Sequence, residues 1–415
     1  MAHHPDTEVA RARRAWRTVA CGIVALAAAM GIGRFAFTPL LPLMQRDGVL
    51  DAAAGSEWAA LNYAGYLAGG LTAAWFARAP RLGLLASLAG VAAATLAAGW
   101  VGHGLSIEVG AALRCAAGVF SAWTLVCASG LCLGELARLR AVRRGAWIYT
   151  GVGLGIALAG TLAWAGGRLP ADRLWIAFGA LAAAAAVFVG AVLPRSEGKD
   201  SAPPARAAAP RQARDGGRSL PLVVCYAAFG FGYIIPATFL PAMARRLVSD
   251  PLVFGLTWPL FGLAAAMSVA GAARFLAAWP RRRVWALAQG VMALGTALPL
   301  AAGSLWALAA SAVMVGGTFM VATMAGLQLA REARPDNPTP LLARMTVGFA
   351  AGQILAPVLV RLLGAGRWAG WDAVSWGSAA ATVLLALTAA WLWAGEGAPR
   401  VRGMIGCPAA PGRRG

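Results

Sequence analysis

Long apolar runs alternate with short polar segments along almost the whole of the 415-residue chain. An apolar run of about 20 residues is long enough to cross the hydrocarbon core of a bilayer as an α-helix. Twelve such runs occur, in two sets of six that flank a polar central segment. The first set is 17–44, 56–77, 82–101, 107–134, 145–166 and 173–193, and the second is 220–244, 253–278, 284–302, 305–329, 342–363 and 372–394. The pattern predicts an all-α membrane protein with twelve transmembrane helices in two pseudo-symmetric six-helix bundles.

The polar segments divide the chain into five regions. We predict an N-terminal tail at 1–16, a first bundle at 17–194, a linker at 195–218, a second bundle at 219–395 and a C-terminal tail at 396–415. The linker is rich in Pro, Ala, Arg and Gly and cannot build a core, so it is predicted to be flexible. The basic residues before the first run also resemble those of a signal peptide. The repeat described below instead favours a retained first helix.

The basic residues determine the predicted orientation. The chain carries 36 Lys and Arg against 16 Asp and Glu, and most of the basic residues lie in the tails, the linker and the even-numbered loops. Because cytoplasmic loops hold an excess of Lys and Arg, both termini are predicted to be cytoplasmic. The arginines form short clusters instead of one patch, which argues against a nucleic-acid partner. Tryptophans near the run ends are expected to form aromatic belts; examples are Trp16, Trp58, Trp100, Trp279 and Trp368.

One stretch of the first run returns in the second half of the chain. Residues 31–42 read GIGRFAFTPLLP, and residues 230–241, 199 positions later, read GFGYIIPATFLP. Two halves of the same orientation predict a pseudo-twofold axis along the membrane normal, and transporters built in this way bind substrate between the halves near the midplane. Proline bends helices, so the stretch also supplies candidate hinges. The predicted gating or hinge positions are Gly31, Gly33, Pro39, Pro42, Pro236 and Pro241.

The same stretch carries a family resemblance. Residues 31–44, GIGRFAFTPLLPLM, followed by LNYAGYL at 61–67, resemble the bacterial YbfB/YjiJ-type branch of the major facilitator superfamily of transporters. Arg114 with Gly118 is similar to the superfamily's arginine motif in the fourth span, and Gly151 to Gly160 resemble its glycine-rich fifth-span motif. The resemblance implies a two-bundle transporter that works by alternating access.

Two arginines lie deep inside apolar runs. Arg34 and Arg114 are predicted at depths that differ by about 5 Å, from a rise of ~1.5 Å per residue. An arginine at such depth costs roughly 2.5–3.5 kcal/mol on insertion scales, so it should face a wet cavity or a partner. One interpretation is that both pack helices and donate to carbonyls. The other is that one or both hold an anionic group through the bidentate guanidinium.

Acidic residues are missing from that depth in the sequence, which favours an anionic ligand over a cationic one. The predicted substrate-binding residues are Arg34, Arg114, Asn62, Tyr66, Tyr233 and Gln353, with Tyr63 and Tyr226 as further candidates. Asn62 is explained equally well by ordinary interhelical hydrogen bonding. Glu135 is the first candidate for proton coupling, although an ion pair with Arg138 explains it better.

Arg274 and Arg361 lie close to run ends, where such side chains reach water, so we exclude both from the site.

Other classes of function find little support in the sequence. Six cysteines form no C-x-x-C pair and only three histidines occur, so neither a metal site nor a cofactor is expected. No P-loop is present to bind ATP. We therefore predict a monomeric, multi-pass secondary transporter of the bacterial inner membrane for a small organic anion, with protons as a candidate coupling ion. The alternatives are a multidrug or metabolite effluxer of the same fold, a membrane-embedded enzyme and a sensor.

Overall fold

The computed structural model describes residues 5–76, 79–193, 219–248, 250, 255–276, 279–334 and 339–395. The predicted linker and C-terminal tail lie outside the described residues. Within them the protein is helical, and each of the twelve predicted apolar runs contains a helix. The first helix begins at Pro5, inside the predicted N-terminal tail.

The described part of the first half contains seven α-helices. They are α1 (Pro5–Leu26), α2 (Phe37–Arg46), α3 (Ala52–Thr72), α4 (Pro80–Ala98), α5 (Ile107–Arg138), α6 (Thr150–Ala165) and α7 (Ala171–Val192). A π-helical turn at Ala27–Arg34 connects α1 with α2, so that these three elements together form the first span. Side-chain caps fix two of the starts: Asp51 accepts a hydrogen bond from the Ala54 amide, and Ser106 accepts one from the Val109 amide.

In its described residues, the second half contains six α-helices. They are α8 (Leu220–Leu247), α9 (Thr257–Phe275), α10 (Arg281–Ala301), α11 (Leu305–Ala333), α12 (Thr339–Leu363) and α13 (Ala373–Ala394). Ser304 and Asp372 cap the starts of α11 and α13 with hydrogen bonds of 3.2 and 2.8 Å.

Contacts between helix ends show that the helices of the first half alternate in direction. At one end, Arg46 donates to the carbonyls of Gly167 and Leu169 at 2.5 and 2.7 Å, which joins the end of α2 to the end of α6. At the opposite end, Arg14 of α1 lies 2.7 Å from Glu135 near the end of α5. We call the end that carries the start of α1 the near end and the opposite one the far end.

The second half follows the same plan. At its far end, Arg246 near the end of α8 forms an ion pair with Asp372 at the start of α13. At its near end, Arg282 at the start of α10 donates to the Leu392 carbonyl near the end of α13 at 2.7 Å. Many large apolar side chains of these helices are exposed, as the lipid-facing surface of a membrane protein requires; examples are Phe275, Trp306 and Leu362.

Ten helices among the described residues are long and apolar enough to cross a membrane. Two helices in the predicted runs are not among these ten. One is α3, and the other, α9, is apolar only over the shorter segment Thr257–Ala272. The multi-pass, all-helical fold is therefore established, whereas the count of twelve spans and the cytoplasmic location of the termini remain predictions.

One predicted aromatic belt residue is placed differently. Trp16, Trp100, Trp279 and Trp368 are exposed, as expected for belt residues. Trp58 is completely buried, donates its indole N–H to the Ile107 carbonyl at 3.2 Å and stacks on Phe37. The prediction for Trp58 was wrong because its position near a run end, in sequence, gave no information on which neighbour would cover it.

The two halves meet along the first and seventh predicted spans. Thr38 donates its hydroxyl hydrogen to the Ala237 carbonyl at 2.7 Å, and Arg34 lies within 3.4 Å of the Tyr233 hydroxyl. Both pairs are separated by 199 residues, which is the spacing of the sequence repeat. Equivalent positions of the two repeats thus contact each other, as they must where a pseudo-twofold axis passes between two equivalent helices.

We call the contact surface between the two halves the seam. Glycines let α6 and α9 approach closely across it. A Cβ atom at Gly153 or Gly160 of α6 would overlap the backbone of α9, and one at Gly262 of α9 would overlap the backbone of α6. Small residues at such contacts bring helix backbones together where packing, not hydrophobic collapse, holds helices in place.

Candidate functional site

The site is built on a break in the first span. The π-helical turn ends at Arg34, where the Phe35 amide donates to the Met30 carbonyl at 3.1 Å, five residues back. Pro39 has no N–H group to donate to the Phe35 carbonyl four residues back. That carbonyl instead accepts a hydrogen bond from the Thr38 amide, three residues on, at 3.1 Å. π-Bulges of this kind are frequent at functional sites. At this break, the carbonyls of residues 33 and 34 lie outside the regular pattern of helical backbone hydrogen bonds.

Arg114 of α5 binds these two carbonyls. Its Nη1 donates to the Gly33 carbonyl at 2.9 Å and its Nη2 to the Arg34 carbonyl at 2.8 Å. The side chain is only 2 % exposed, and its guanidinium lies over the rings of Phe37 and Trp175. This is the helix-packing arrangement that the sequence left open as the alternative to substrate binding.

Arg34 is placed differently, although it is buried as deeply. Its Nη2 donates to Gln353 Oε1 at 2.6 Å and to the Tyr233 hydroxyl at 3.4 Å, both in the second half. The guanidinium carbon lies 3.9 Å from the ring centroid of Tyr66 and 5.4 Å from that of Tyr63. These side chains place one cation at the seam, surrounded by neutral groups.

Gln353 and Tyr233 form the opposite wall. The Gln353 amide nitrogen donates to the Tyr233 hydroxyl, while its amide oxygen accepts from Arg34. The Tyr233 ring stacks between Phe319 and Phe349, at centroid distances of 5.5 and 5.6 Å and interplanar angles of 6° and 8°. The wall is therefore a fixed aromatic stack with two polar groups at its edge.

The unused hydrogen-bonding capacity beside Arg34 consists mainly of donors. The Arg34 Nε is buried and has no partner among the described residues. The Tyr233 hydroxyl already accepts from Gln353 and Arg34, so its own hydrogen is free to donate. No ion pair in the described part of the chain includes Arg34 or Arg114. A ligand that offers acceptors and negative charge fits this set best.

Asn62 and Tyr63 contribute to the frame of the site. Asn62 donates to the Arg114 carbonyl at 2.7 Å, which ties α3 to α5, and its amide oxygen has no partner among the described residues. The Tyr63 hydroxyl pairs with the Thr238 hydroxyl at 2.8 Å across the seam. Tyr226 instead approaches the Thr323 carbonyl at 3.5 Å, inside the second half.

The coupling candidate Glu135 lies at the near end of the bundle, in contact with two arginines. It is 2.7 Å from Arg14 and 3.9 Å from Arg138, so the expected pair with Arg138 is the longer of the two contacts. Of the excluded arginines, Arg274 is exposed, and Arg361 pairs with Glu57 at 3.2 Å at the far end. The structure brings neither of them to Arg34.

The predicted hinge residues divide into two groups. A Cβ atom at Gly31 would overlap the backbone of Gly155, so this glycine sets the contact between the first span and α6. The break itself precedes Pro39 and Pro42, and α8 continues through Pro236 and Pro241 without interruption. Their role in gating remains a prediction.

Sequence reasoning missed several residues of the site. Phe319 and Phe349 hold Tyr233, and Ser121 of α5 donates to the Ala29 carbonyl of the π-helical turn at 2.7 Å. A phenylalanine in an apolar run carries no signal that separates it from ordinary packing. Ser121 could have been found as a polar residue seven positions after Arg114, on the same face of α5.

Comparison with known proteins identifies the family. A model for the uncharacterised MFS-type transporter YbfB, a member of the major facilitator superfamily (MFS), matches residues 26–390. The chain belongs to this family. The resemblance found in the sequence is thereby confirmed, and the family and its structural neighbours are transporters, not enzymes. A search of curated proteins gave no match.

Solved structures of transporters share the fold of this MFS-type transporter. A D-xylose–proton symporter is 11% identical, with a TM-score of 0.73 over 91% of this chain and 97% of that chain. A mutant of the nucleoside transporter NupG is 14% identical, with a TM-score of 0.70 over 91% and 99% of the two chains. A bacterial homolog of the human lysosomal transporter Spinster, inward-facing and occupied, is 14% identical, with a TM-score of 0.60 over 92% and 96%. Likeness at such identities concerns the fold alone.

Proposed function

We propose that this MFS-type transporter is a secondary active transporter that moves a small organic anion across the bacterial cytoplasmic membrane by alternating access. Arg34 is the residue that binds the anionic group. The observation that carries the proposal is a buried guanidinium, 4 % exposed, at the seam of the two halves with only neutral partners. Substrate sites of transporters with two such halves lie at this seam near the midplane.

Energetics support an anionic ligand. A guanidinium at that depth costs roughly 2.5–3.5 kcal/mol or more without compensation, and a carboxylate or phosphate group supplies both charge and acceptors. Both arginines keep a buried Nε without a partner among the described residues, but both Nη groups of Arg114 are held by backbone carbonyls, so we assign the anionic group to Arg34 at the seam. We assign Arg114 the role of positioning Arg34 through the Gly33 and Arg34 carbonyls.

The contacts along the seam support alternating access. The Thr38–Ala237 and Tyr63–Thr238 hydrogen bonds lie between Arg34 and the far end, so the site is closed on that side. These contacts join one half to the other and can separate when the halves rotate. Glu135 remains our candidate for proton coupling, and release from Arg14 would be its first step.

The test is uptake into proteoliposomes, with radiolabelled monocarboxylates and phosphate each supplied alone. For any anion that wild-type protein takes up, we expect Arg34→Gln to reduce uptake about 30-fold or more, because loss of one partner of a buried charge pair costs roughly 2–5 kcal/mol. Arg34→Lys should recover part of the uptake, since lysine keeps the positive charge but lacks the bidentate donor geometry of the guanidinium.

The matched control is Arg361→Gln, which removes an exposed arginine of α12 that is 52% accessible. We expect uptake by this variant to stay within about twofold of wild type. Undiminished anion uptake by Arg34→Gln would reject the site assignment.

The aromatic surroundings of Arg34, with Tyr66 at 3.9 Å, favour a second candidate function, which is multidrug efflux through stacking contacts. Resistance of cells to cationic and neutral drugs is the measurement. Full resistance after Arg34→Gln and Arg114→Gln together would favour efflux over anion transport.

A further inference from the structure

The Arg34 guanidinium already has a ligand from the other half of the protein. Its Nη2 donates to Gln353 Oε1 at 2.6 Å, a length typical of a charge-assisted hydrogen bond. Gln353 is completely buried in α12. A neutral amide oxygen therefore occupies a position beside the guanidinium that the proposed function assigns to an anionic group.

Hydrogen-bonding chemistry fixes the orientation of this amide. Arginine can only donate, so the Gln353 oxygen must face Arg34 and the amide nitrogen must face the Tyr233 hydroxyl. Tyr233 is held by its stacking between Phe319 and Phe349. The amide oxygen is thus presented to Arg34 by a side chain with little freedom to turn away.

The arrangement exists once, not twice. A Cβ atom at Gly155 of α6 would overlap the Ala27 carbonyl, as one at Gly352 of α12 would overlap the Ala227 carbonyl, so the first-half counterpart of Gln353 is Ile156, which is equally buried but apolar. The buried Gln289 of α10 donates to the Cys225 carbonyl and Thr388 inside its own half. Among the described residues, only Gln353 connects a buried amide to the cation across the seam.

We propose that Gln353, braced by Tyr233, is a built-in neutral ligand of Arg34 that an incoming anion displaces. The inference rests on the proposed function, because it describes what occupies that same guanidinium when no substrate is bound. In the empty protein the amide oxygen satisfies the buried cation and joins the halves. On binding, the anionic group takes over Nη2, and the amide is released from Arg34.

Under this proposal, removing the Gln353 amide changes anion affinity in the direction opposite to that expected for a residue that contacts substrate. A residue that contacts substrate strengthens binding, so its loss weakens binding. A ligand that competes with substrate weakens binding, so its loss strengthens it. Gln353→Leu keeps the side-chain size but removes the oxygen, and its effect on anion affinity therefore has opposite signs under the two roles.

The experiment is isothermal titration of the purified full-length protein in detergent with benzoate, acetate and inorganic phosphate, each added alone. For each anion that binds, we expect Gln353→Leu to tighten binding about 10-fold, the equivalent of one charge-assisted hydrogen bond. Gln353→Glu should weaken binding about 10-fold or more, because a carboxylate at this position pairs with Arg34 permanently. Gln353→Met, which also lacks the amide oxygen, should tighten binding as the leucine variant does, and it serves if that variant fails to fold.

Gln289→Leu is the matched control, since it removes an equally buried glutamine without touching Arg34. We expect anion affinity unchanged in this variant and lost in Arg34→Gln. Weaker binding in Gln353→Leu, with the dependence on Arg34 intact, overturns the internal ligand and leaves the proposed function standing. Binding that persists in Arg34→Gln overturns the proposed function itself. No binding of any of the three anions to wild type or to Gln353→Leu rejects both.

Discussion

The two repeats give the same stretch of sequence two different backbones. In the first half, residues 31–42 cross a π-helical turn and a second helix start at Phe37. In the second half, residues 230–241 lie inside the continuous helix α8, Leu220–Leu247. Only Pro42 and Pro241 are at equivalent positions of the repeat, because Pro39 corresponds to Thr238 and Pro236 to Phe37. The neighbouring helices differ as well.

The neighbouring helix differs where Arg114 lies. A Cβ atom at Gly118 of α5 would overlap the Asn62 carbonyl and one at Gly316 of α11 the Phe261 carbonyl, so the second-half counterpart of Arg114 is Ala312. Both residues are buried, but Arg114 bonds to the two carbonyls at the break, whereas Ala312 has no side-chain donor. Buried charge and broken helix therefore occur together: Arg114 stabilises the break, and the break directs Arg34 to the seam.

The largest expected effect comes from removing the buried charge beside the break. Arg114→Val removes two charge-assisted hydrogen bonds, worth about 1.5–3 kcal/mol each, and also removes a buried charge, which offsets part of the loss. We expect the free energy of unfolding to fall by about 2–4 kcal/mol, measured by denaturant titration in detergent. Arg114→Lys should not restore it, because one ammonium cannot reproduce the guanidinium fork. Wild-type stability in Arg114→Val would mean that the break needs no support from α5.

A smaller effect is expected where the halves agree. A Cβ atom at Gly31 would overlap the Gly155 backbone, and one at the counterpart Gly230 would overlap the Phe349 backbone. Gly31→Ala and Gly230→Ala should each lower the free energy of unfolding by about 1–3 kcal/mol, the usual cost of overpacking.

The control for this pair is Gly33→Ala, whose Cβ would meet the side chains of Ser121 and Val91 at 2.8 Å, and side chains can move. We expect a smaller loss than at Gly31 by the same measurement. A clearly unequal loss at Gly31 and Gly230 would show that the two helix contacts are less alike than the repeat suggests.

The smallest effect is expected at the far-end ion pair between the halves. Glu57 and Arg361 are 42% and 52% exposed at a separation of 3.2 Å, and exposed pairs contribute about 0–1 kcal/mol. A double-mutant cycle of Glu57→Gln and Arg361→Gln should give a coupling energy under about 1 kcal/mol that falls with added salt. A coupling well above that value would make this pair, and not the buried seam, the main connection at the far end.

Sequence alone was sufficient for the family and the helical fold. Apolar runs in a bilayer must satisfy their backbone groups internally, so their lengths predict helices directly. The repeat aligned Arg34 with Tyr233, and these residues are indeed in contact because equivalent positions meet at a pseudo-twofold axis. The prediction for Trp58 failed because a position near a run end does not reveal what packs over it.

Only the tertiary structure distinguished the two arginines. Both are buried, both lie in apolar runs, and both had the same two interpretations before the structure was known. Their difference depends on which carbonyls lack a helical donor, and that depends on where the first span breaks and which helix lies beside the break. Arg114 meets those carbonyls, while Arg34 meets an amide from the other half. A sequence records the charge of each side chain, but the hydrogen-bond acceptors that surround it are assembled by the fold.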